Sequence, residues 1–484
     1  MGVRSRVRLM LLAAAGCRLA ARDLHGCQGI GRRGEGDLMG GLTALAVVVV
    51  AYTLVASKLD RWWITGPMVF VAAGAILGPG GLDVLPLSLT NETVVTITEL
   101  TLALLLFSDA STVRLQDVEG DAGLPRRLLF AGLPLTILAG ALLAYLMFPG
   151  VGWAAAALIA AILAPTDAAL GLAVVTNKAV PVRIRRALNV ESGLNDGIAT
   201  PLVTLFIAAA AAEESIGDKA WGLEALKQIG LAIVAAVVVG YIGGKLLAFA
   251  RERGWTSGVS EQIAILALAL LAYEGAVAIG GNGFIAGFAG GILFGAATRG
   301  RLEEPVQFTE TLGLSASFLV WSLFGALFVG ELLTHDLSVR PIVYAVLSLT
   351  VIRMVPVALV LIGTHLRPAT VAFMGWFGPR GLASVVFTLL ALQEIEHSGG
   401  GMLLQTVTWT ILLSVVLHGI SAPPLAARYG ASIAKAGNIP EKAPAGEPRV
   451  RLHDLAGRHS LRGQQARETT STATGESAAG TRPS

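Results

Sequence analysis

Two cysteines, Cys17 and Cys27, are all that 484 residues contain. Both precede the first long apolar run and neither has metal-ligand spacing. No disulfide framework, zinc site or thiol chemistry follows from them. Charge is scarce as well. Asp, Glu, Lys and Arg make up 14% of the chain, against about a quarter in soluble domains. The net charge of +3 is too small to draw a polyanion, which excludes a nucleic-acid partner. A phosphate-cradling loop is also missing: the lone Gly281-Asn282-Gly283 falls at the boundary of an apolar run. No cofactor is expected.

What fills the chain instead is apolar. Hydrophobic residues reach 54%, with 58 glycines, and the mean hydropathy is +0.69. Runs such as LTALAVVVVAYTLVAS and AIVAAVVVGYIGG approach the ~20 residues that cross a hydrocarbon core. The fold class is therefore an all-α polytopic membrane protein. Thirteen candidate transmembrane spans lie near 38–57, 64–80, 93–111, 126–148, 151–176, 188–212, 226–250, 261–280, 282–298, 308–333, 341–363, 370–393 and 402–422.

Alternating the loops between two sides tests that count. One set holds fourteen lysines and arginines, the other only Lys219, Lys227 and Arg340. Short-loop positive charge marks the cytoplasmic face. The first span then starts outside, the C-terminus is cytoplasmic, and the protein belongs in a bacterial-type inner or plasma membrane. Residues 1–37 carry seven arginines that would have to be translocated, so they read as an extension ahead of a start at Met39. The transmembrane domain covers 38–425. Residues 426–484 are polar and aperiodic and read as a disordered cytoplasmic tail.

Two spans are interrupted. The fifth contains LAPTDAALG, where Pro165 removes a backbone donor, and the twelfth contains FGPRGLAS, where Pro379 removes another and Gly378 and Gly381 help to break the helix. They lie seven spans apart. With spans 1–6 and 8–13 as two halves, the breaks correspond, and the halves insert in opposite senses. Paired broken helices in an inverted repeat mark a transport site near the midplane.

Charges gather at those breaks. Asp167, Glu191, Asp196, Glu274, Arg353 and Arg380 all fall deep in spans, where a charge costs roughly 2.5–3.5 kcal/mol on insertion scales. In ESGLND, Ser192 lies one turn from Asp196, and Glu191 one turn from Asn195. Glu191 and Asp196 stand ~140° apart around the helix and need not share a partner. If Arg380 holds Glu191, then Asp196 faces Asp167 and the break in span 5. Neighbouring carboxylates do not readily both stay charged, so one can exchange a proton for a metal cation. The oxygen ligands on offer are Asp196, Asp167, the Ser192 hydroxyl and carbonyls freed around Thr166. They suit a hard cation, and no Cys or His joins them. Arg353, just before MVPV, is expected to meet a carbonyl or lipid phosphate. His418 is expected near a membrane face.

These motifs carry a resemblance. ESGLNDG, PTDAALG and GPRGLAS, together with GGNGFIAGFAGGILFG at 280–295, resemble the NhaP-type sodium/proton antiporters of the cation:proton antiporter-1 family over about 39–425. The resemblance implies a homodimer with a six-helix core and a dimerisation domain in each protomer. It implies that Asp196 binds the monovalent cation or the proton, assisted by Asp167, Ser192 and the Thr166 carbonyl. It implies a structural ion pair between Glu191 and Arg380, and, from Asn195 beside Asp196, electroneutral exchange. Sodium is the first candidate, with lithium and potassium behind it. Two other classes remain. A cation channel would need a filter of carbonyl or charge rings, and no repeated segment supplies one. An intramembrane aspartyl hydrolase could use an Asp pair but has no need of an inverted repeat.

Overall fold

The computed structural model describes residues 28–445, apart from 86–87, 90, 114–122, 215–220, 335–337, 396–399 and 438. Of the loop cations counted above, Arg114 and Lys219 lie outside the described residues. So does the tail beyond 445.

The described chain is helical throughout. In order, α1 is Gln28–Arg61, α2 Gly66–Leu77, α3 Glu92–Thr112, α4 Gly123–Met147 and α5 Trp153–Leu163, followed by the single turn α6, Leu172–Val175. Then come α7 Val182–Glu214, α8 Trp221–Glu252, α9 Gly258–Ala278, α10 Gly283–Thr298, α11 Glu303–Leu332 and α12 Val339–Val360. The interrupted pair α13 Pro368–Trp376 and α14 Leu382–Glu394 precedes α15, Gly400–Ala434. Among the described residues, nine helices are long and apolar enough to cross a membrane, and α2, α5, α10 and α14 are shorter apolar helices. The thirteen-span count itself rests on the sequence reading. Helix α1 begins inside the stretch read as an extension.

Local chemistry sets several helix starts. Asn91 accepts from the Thr93 N–H ahead of α3, and Ser257 and Ser260 form a reciprocal capping box on α9. Asn282 caps α10 through the Ile285 N–H while its amide donates to Thr204 Oγ1, tying α10 to α7. Helix α5, WAAAALIAAIL, is buried on every side from Ala156 to Leu163. Apolar all round and rich in alanine, it suits the middle of a bundle where backbones approach closely. At the crossing of α2 and α11, a Cβ on Gly74 would sit 1.9 Å from the Ser322 carbonyl oxygen. Only glycine allows that contact.

The last helix runs past a boundary of the sequence reading. That reading ends the membrane domain at 425 because the chain beyond is polar and aperiodic. Helix α15 instead continues to Ala434 with both prolines inside it. Neighbouring elements can satisfy the carbonyls that a proline strands in a membrane helix. Past the prolines, Ala426, Tyr429 and Ile433 keep helical spacing and stay buried against α7 and α13.

A short segment after α15 then folds back. Arg183, at the start of α7, donates to the Pro440 carbonyl at 2.9 Å. The buried Glu441 accepts from the Arg367 N–H at 2.8 Å and from Thr370 Oγ1 at 2.7 Å, sealing the start of α13. Burial alone would raise the Glu441 carboxyl. The Arg367 N–H and Thr370 hydroxyl outweigh it and hold the group below its ordinary value of 4.5. A depressed carboxylate stabilises the fold above its unfolded pKa and stops doing so as pH falls through the folded one. Glu441→Gln should therefore unfold at lower temperature than wild type at pH 7, in line with about 1.5–3 kcal/mol for charge-assisted hydrogen bonds. The gap should close as the pH drops below 4.5. Thermal unfolding in detergent across pH checks it; a gap that persists in acid would contradict this account.

Candidate functional site

The two helix breaks meet. Between α5 and α6 the chain unwinds over 164–171, and between α13 and α14 over 377–381. The Asp167 N–H donates to the Pro379 carbonyl at 2.7 Å. The Leu382 N–H donates to Asp167 Oδ2 at 3.2 Å, and Ser384 Oγ donates to the Ile162 carbonyl at 2.7 Å. Each break thus supplies groups that the other's lost helical ladder leaves unmatched. Gly381 is required here, because a Cβ on it would stand 1.9 Å from Asp167 Oδ2.

Asp167 also accepts from the N–H groups of Ala169, at 2.6 Å, and Leu170, at 3.1 Å. Capping the broken half-helix is therefore one real role of this side chain. A carboxylate offers about four lone-pair sites, so three N–H donors leave room for one more ligand. The start of α14 points at it as well, and helix N-termini favour negative charge.

Asp167, Asp196 and Asp109 line one small cavity, with Leu102, Leu105 and Leu106 of α3 and Leu382 and Ala383 of α14 as its apolar walls. Its volume is ≈ 20 Å³, enough for about one water or an ion of that size. Asp196 and Asp167 are thus brought together as the sequence reading expects. Asp109 joins them, a residue that the sequence reading left out of the site. Residues Leu102 to Ser108 are buried without a break, so a carboxylate in that run carries the same signal of expensive charge as the others.

Ser192 and Thr166 lie in a neighbouring network and are not among the cavity's lining residues. Thr166 Oγ1 is 3.0 Å from Ser192 Oγ and accepts from Asn195 Nδ2 at 2.6 Å. These three residues therefore bolt α7 to the first break. The Thr166 carbonyl accepts no hydrogen bond among the described residues.

The structure corrects the ion pair. Glu191 Oε1 meets Arg353 Nη1 at 2.6 Å, with both side chains buried. Arg380 is not its partner. The Arg380 guanidinium turns to the end of α5, donating to the carbonyls of Ala164 at 2.7 Å and Pro165 at 3.4 Å, and to Ser348 of α12 at 3.4 Å. The reason is local. A helix C-terminus has unsatisfied carbonyls and a negative dipole end, and a fully buried arginine at a facing break answers both. Arg353 is correspondingly not at a lipid phosphate but in the protein's centre, 2% exposed. His418 is buried as well, at 1%.

Helices that unwind where they cross, with carboxylates at the crossing, suit a site that binds a small cation or a proton and little else. Comparison with known proteins agrees with this chemistry. A family model for "Sodium/hydrogen exchanger, transmembrane" matches residues 44–428. The K(+)/H(+) antiporter NhaP of Alkalimonas amylolytica is 24% identical over 388 residues, covering 79% of this chain and 65% of that protein. A Na(+)/H(+) antiporter of Schizosaccharomyces pombe is 26% identical over 316 residues, covering 57% of this chain and 65% of that one. The match thus spans about two thirds of each relative's length, at 65%. Among solved structures, the sodium proton antiporter MjNhaP1 of Methanocaldococcus jannaschii superposes with a TM-score of 0.64 at 20% identity, over 81% of this chain and 99% of that one. The fold is that of this antiporter. With its family model spanning most of its length, this integral membrane protein belongs to the sodium/hydrogen exchanger family.

Proposed function

We propose that the protein exchanges one monovalent cation for one proton across the membrane, with Asp196 as the shared site and Asp167 beside it. The observation that carries this reading is the cavity at the helix crossing, which is single-ion sized and lined by both carboxylates. A carboxylate can hold a proton or a hard cation but not both at once, and that competition is the minimal chemistry of exchange. The position beside Asp196 is an amide, Asn195, whose NH2 group is engaged by Thr166. The α7 turn therefore brings a single titrating side chain, which supports one-for-one, electroneutral exchange. Sodium is the first candidate, and potassium and lithium follow from the same oxygen ligands. Potassium gains weight from the transport named for the Alkalimonas relative.

On this reading Ser192, Thr166 and Asn195 set the spacing between α7 and the first break, and the Glu191–Arg353 pair is structural. The same reading places two copies in a homodimer within a bacterial-type membrane, surrounded by lipid. The first span starts outside and the C-terminus is cytoplasmic.

Shared occupancy has a measurable signature. Apparent cation affinity should weaken by up to tenfold per pH unit once protons fill the site, because binding and protonation exclude each other. The measurement is cation-induced pH change in vesicles reconstituted with the pure protein, titrated with Na+, K+ and Li+ between pH 5.5 and 8.5. An affinity that ignores pH would overturn the shared site, and cation flux without proton movement would indicate a channel.

A further inference from the structure

Helix α15 presents Ser414, His418 and Ser421 at four- and three-residue spacing, which puts them on one helical face. All three engage the second helix break. The Arg380 N–H donates to Ser414 Oγ at 2.7 Å. His418 Nε2 lies 2.8 Å from the Trp376 carbonyl, the last carbonyl of α13. With the proton on Nε2 the ring donates to that carbonyl, which can only accept. His418 Nδ1 lies 3.2 Å from Ser414 Oγ and 3.0 Å from the Ser414 carbonyl oxygen. In that tautomer Nδ1 accepts from the Ser414 hydroxyl. The imidazole also stacks on the Trp376 ring, 5.0 Å between centroids, and the indole N–H donates to Ser421 Oγ at 3.0 Å.

The result is a closed chain of donors. It runs from the Arg380 N–H to Ser414, to His418, and back to the Trp376 carbonyl. It spans the whole unwound stretch, gripping the residue before it and the residue near its end. The segment between them contains Pro379, whose carbonyl takes the Asp167 N–H. Just beyond it stands Leu382, whose N–H reaches the Asp167 carboxylate. A hydroxyl and an imidazole at 0% and 1% exposure, each with polar atoms matched to a backbone group of the break, are a built feature rather than filler.

We propose that His418 is a positioning residue for the cation site: acting through Ser414 and the Trp376 carbonyl, it fixes the length and twist of the unwound segment and so the place of Asp167. The proposal rests on the reading of the Asp167–Asp196 cavity as the transport site. Its predicted signature separates position from mere stability. A strut that only held the bundle together would lower the yield of folded protein and the maximal rate. A positioning strut changes the half-saturating cation concentration in protein that is fully folded.

The experiment uses the full chain in vesicles, with wild type, Ser414→Ala, His418→Phe, His418→Gln and the Ser414→Ala/His418→Phe double variant. Half-saturation by Na+ and K+ and the maximal rate are measured separately. Elution profile and thermal unfolding of each variant establish its fold. The expected result is a half-saturating concentration raised tenfold or more in His418→Phe and threefold or more in Ser414→Ala. In His418→Gln, which can still donate to the Trp376 carbonyl, most of the affinity should return. The double variant should be no weaker than His418→Phe alone, since both cut the same chain. Where His418→Phe does not fold, Ser414→Ala alone decides. Half-saturation within twofold of wild type in folded variants overturns the proposal. So do single effects that multiply in the double variant, or a glutamine variant no better than phenylalanine. Wild-type vesicles without exchange would instead sink the transport reading beneath it.

Discussion

Asp196→Asn should leave a folded protein whose cation-driven proton exchange falls to the background of protein-free vesicles. Asparagine keeps the shape of the side chain and retains an oxygen for a hard cation. It loses the negative charge that makes binding a dehydrated ion worthwhile, and it has no proton to release. Both halves of the exchange fail together, so the loss should exceed anything produced by altering Ser192 or Thr166, whose hydroxyls bond to each other rather than line the cavity. Asp167→Asn is a useful companion. That side chain also caps three N–H groups, so its removal should cost stability as well as transport. The check is exchange activity alongside thermal unfolding for both variants. Sustained exchange by Asp196→Asn would remove the centre of the proposed mechanism.

Arg353→Ala should be the most destabilising single change among the buried charges. It strands Glu191 in a site from which water is excluded, and breaking a buried pair from one side typically costs about 3–5 kcal/mol. Arg380→Ala should cost less, in the range of about 1–3 kcal/mol for backbone groups left without donors, because its partners are carbonyls rather than a charge. Glu191→Gln should sit between them, since it orphans Arg353, whose Nε and Nη2 already lack hydrogen-bond partners among the described residues. The exchange Glu191→Arg with Arg353→Glu should restore part of the folded yield, whereas Glu191→Arg with Arg380→Glu should not. Unfolding temperatures in detergent decide the order. Rescue by the Arg380 swap in place of the Arg353 swap would reverse the pairing.

That contrast shows what a sequence can and cannot carry. The breaks were legible because Pro165 and Pro379 lie inside apolar runs, and backbone chemistry alone makes them interruptions. The carboxylates at 167 and 196 were legible because a bilayer makes charge costly wherever it falls. The partner of Glu191 was not. Two arginines were available, and the choice depends on where α12 is seated. Tyr344 and Ile352 seat it on Gly140 of α4, far along the chain from residue 191. The role of His418 was hidden for a related reason. Its link to the second break runs through a backbone carbonyl, and a carbonyl leaves no trace in the identity of Trp376. Asp109 shows a different failure: it is a charge in an apolar run by the same rule as Asp196, and the sequence reading left it out of the site.

The crossing of the two breaks also constrains how the protein is made. The first break needs Arg380 on the Ala164 carbonyl, a contact 216 residues away along the chain. Asp167 needs Leu382, 215 residues away. At ~5–20 residues per second of synthesis, the first half waits roughly 10–40 s before its partner even leaves the ribosome. Throughout that interval α5 ends in the membrane with carbonyls that its final neighbour has yet to reach. The centre of the molecule therefore closes only after the second break has been made, and until then the nascent N-terminal half must be kept solvated there by something other than the protein's own second half.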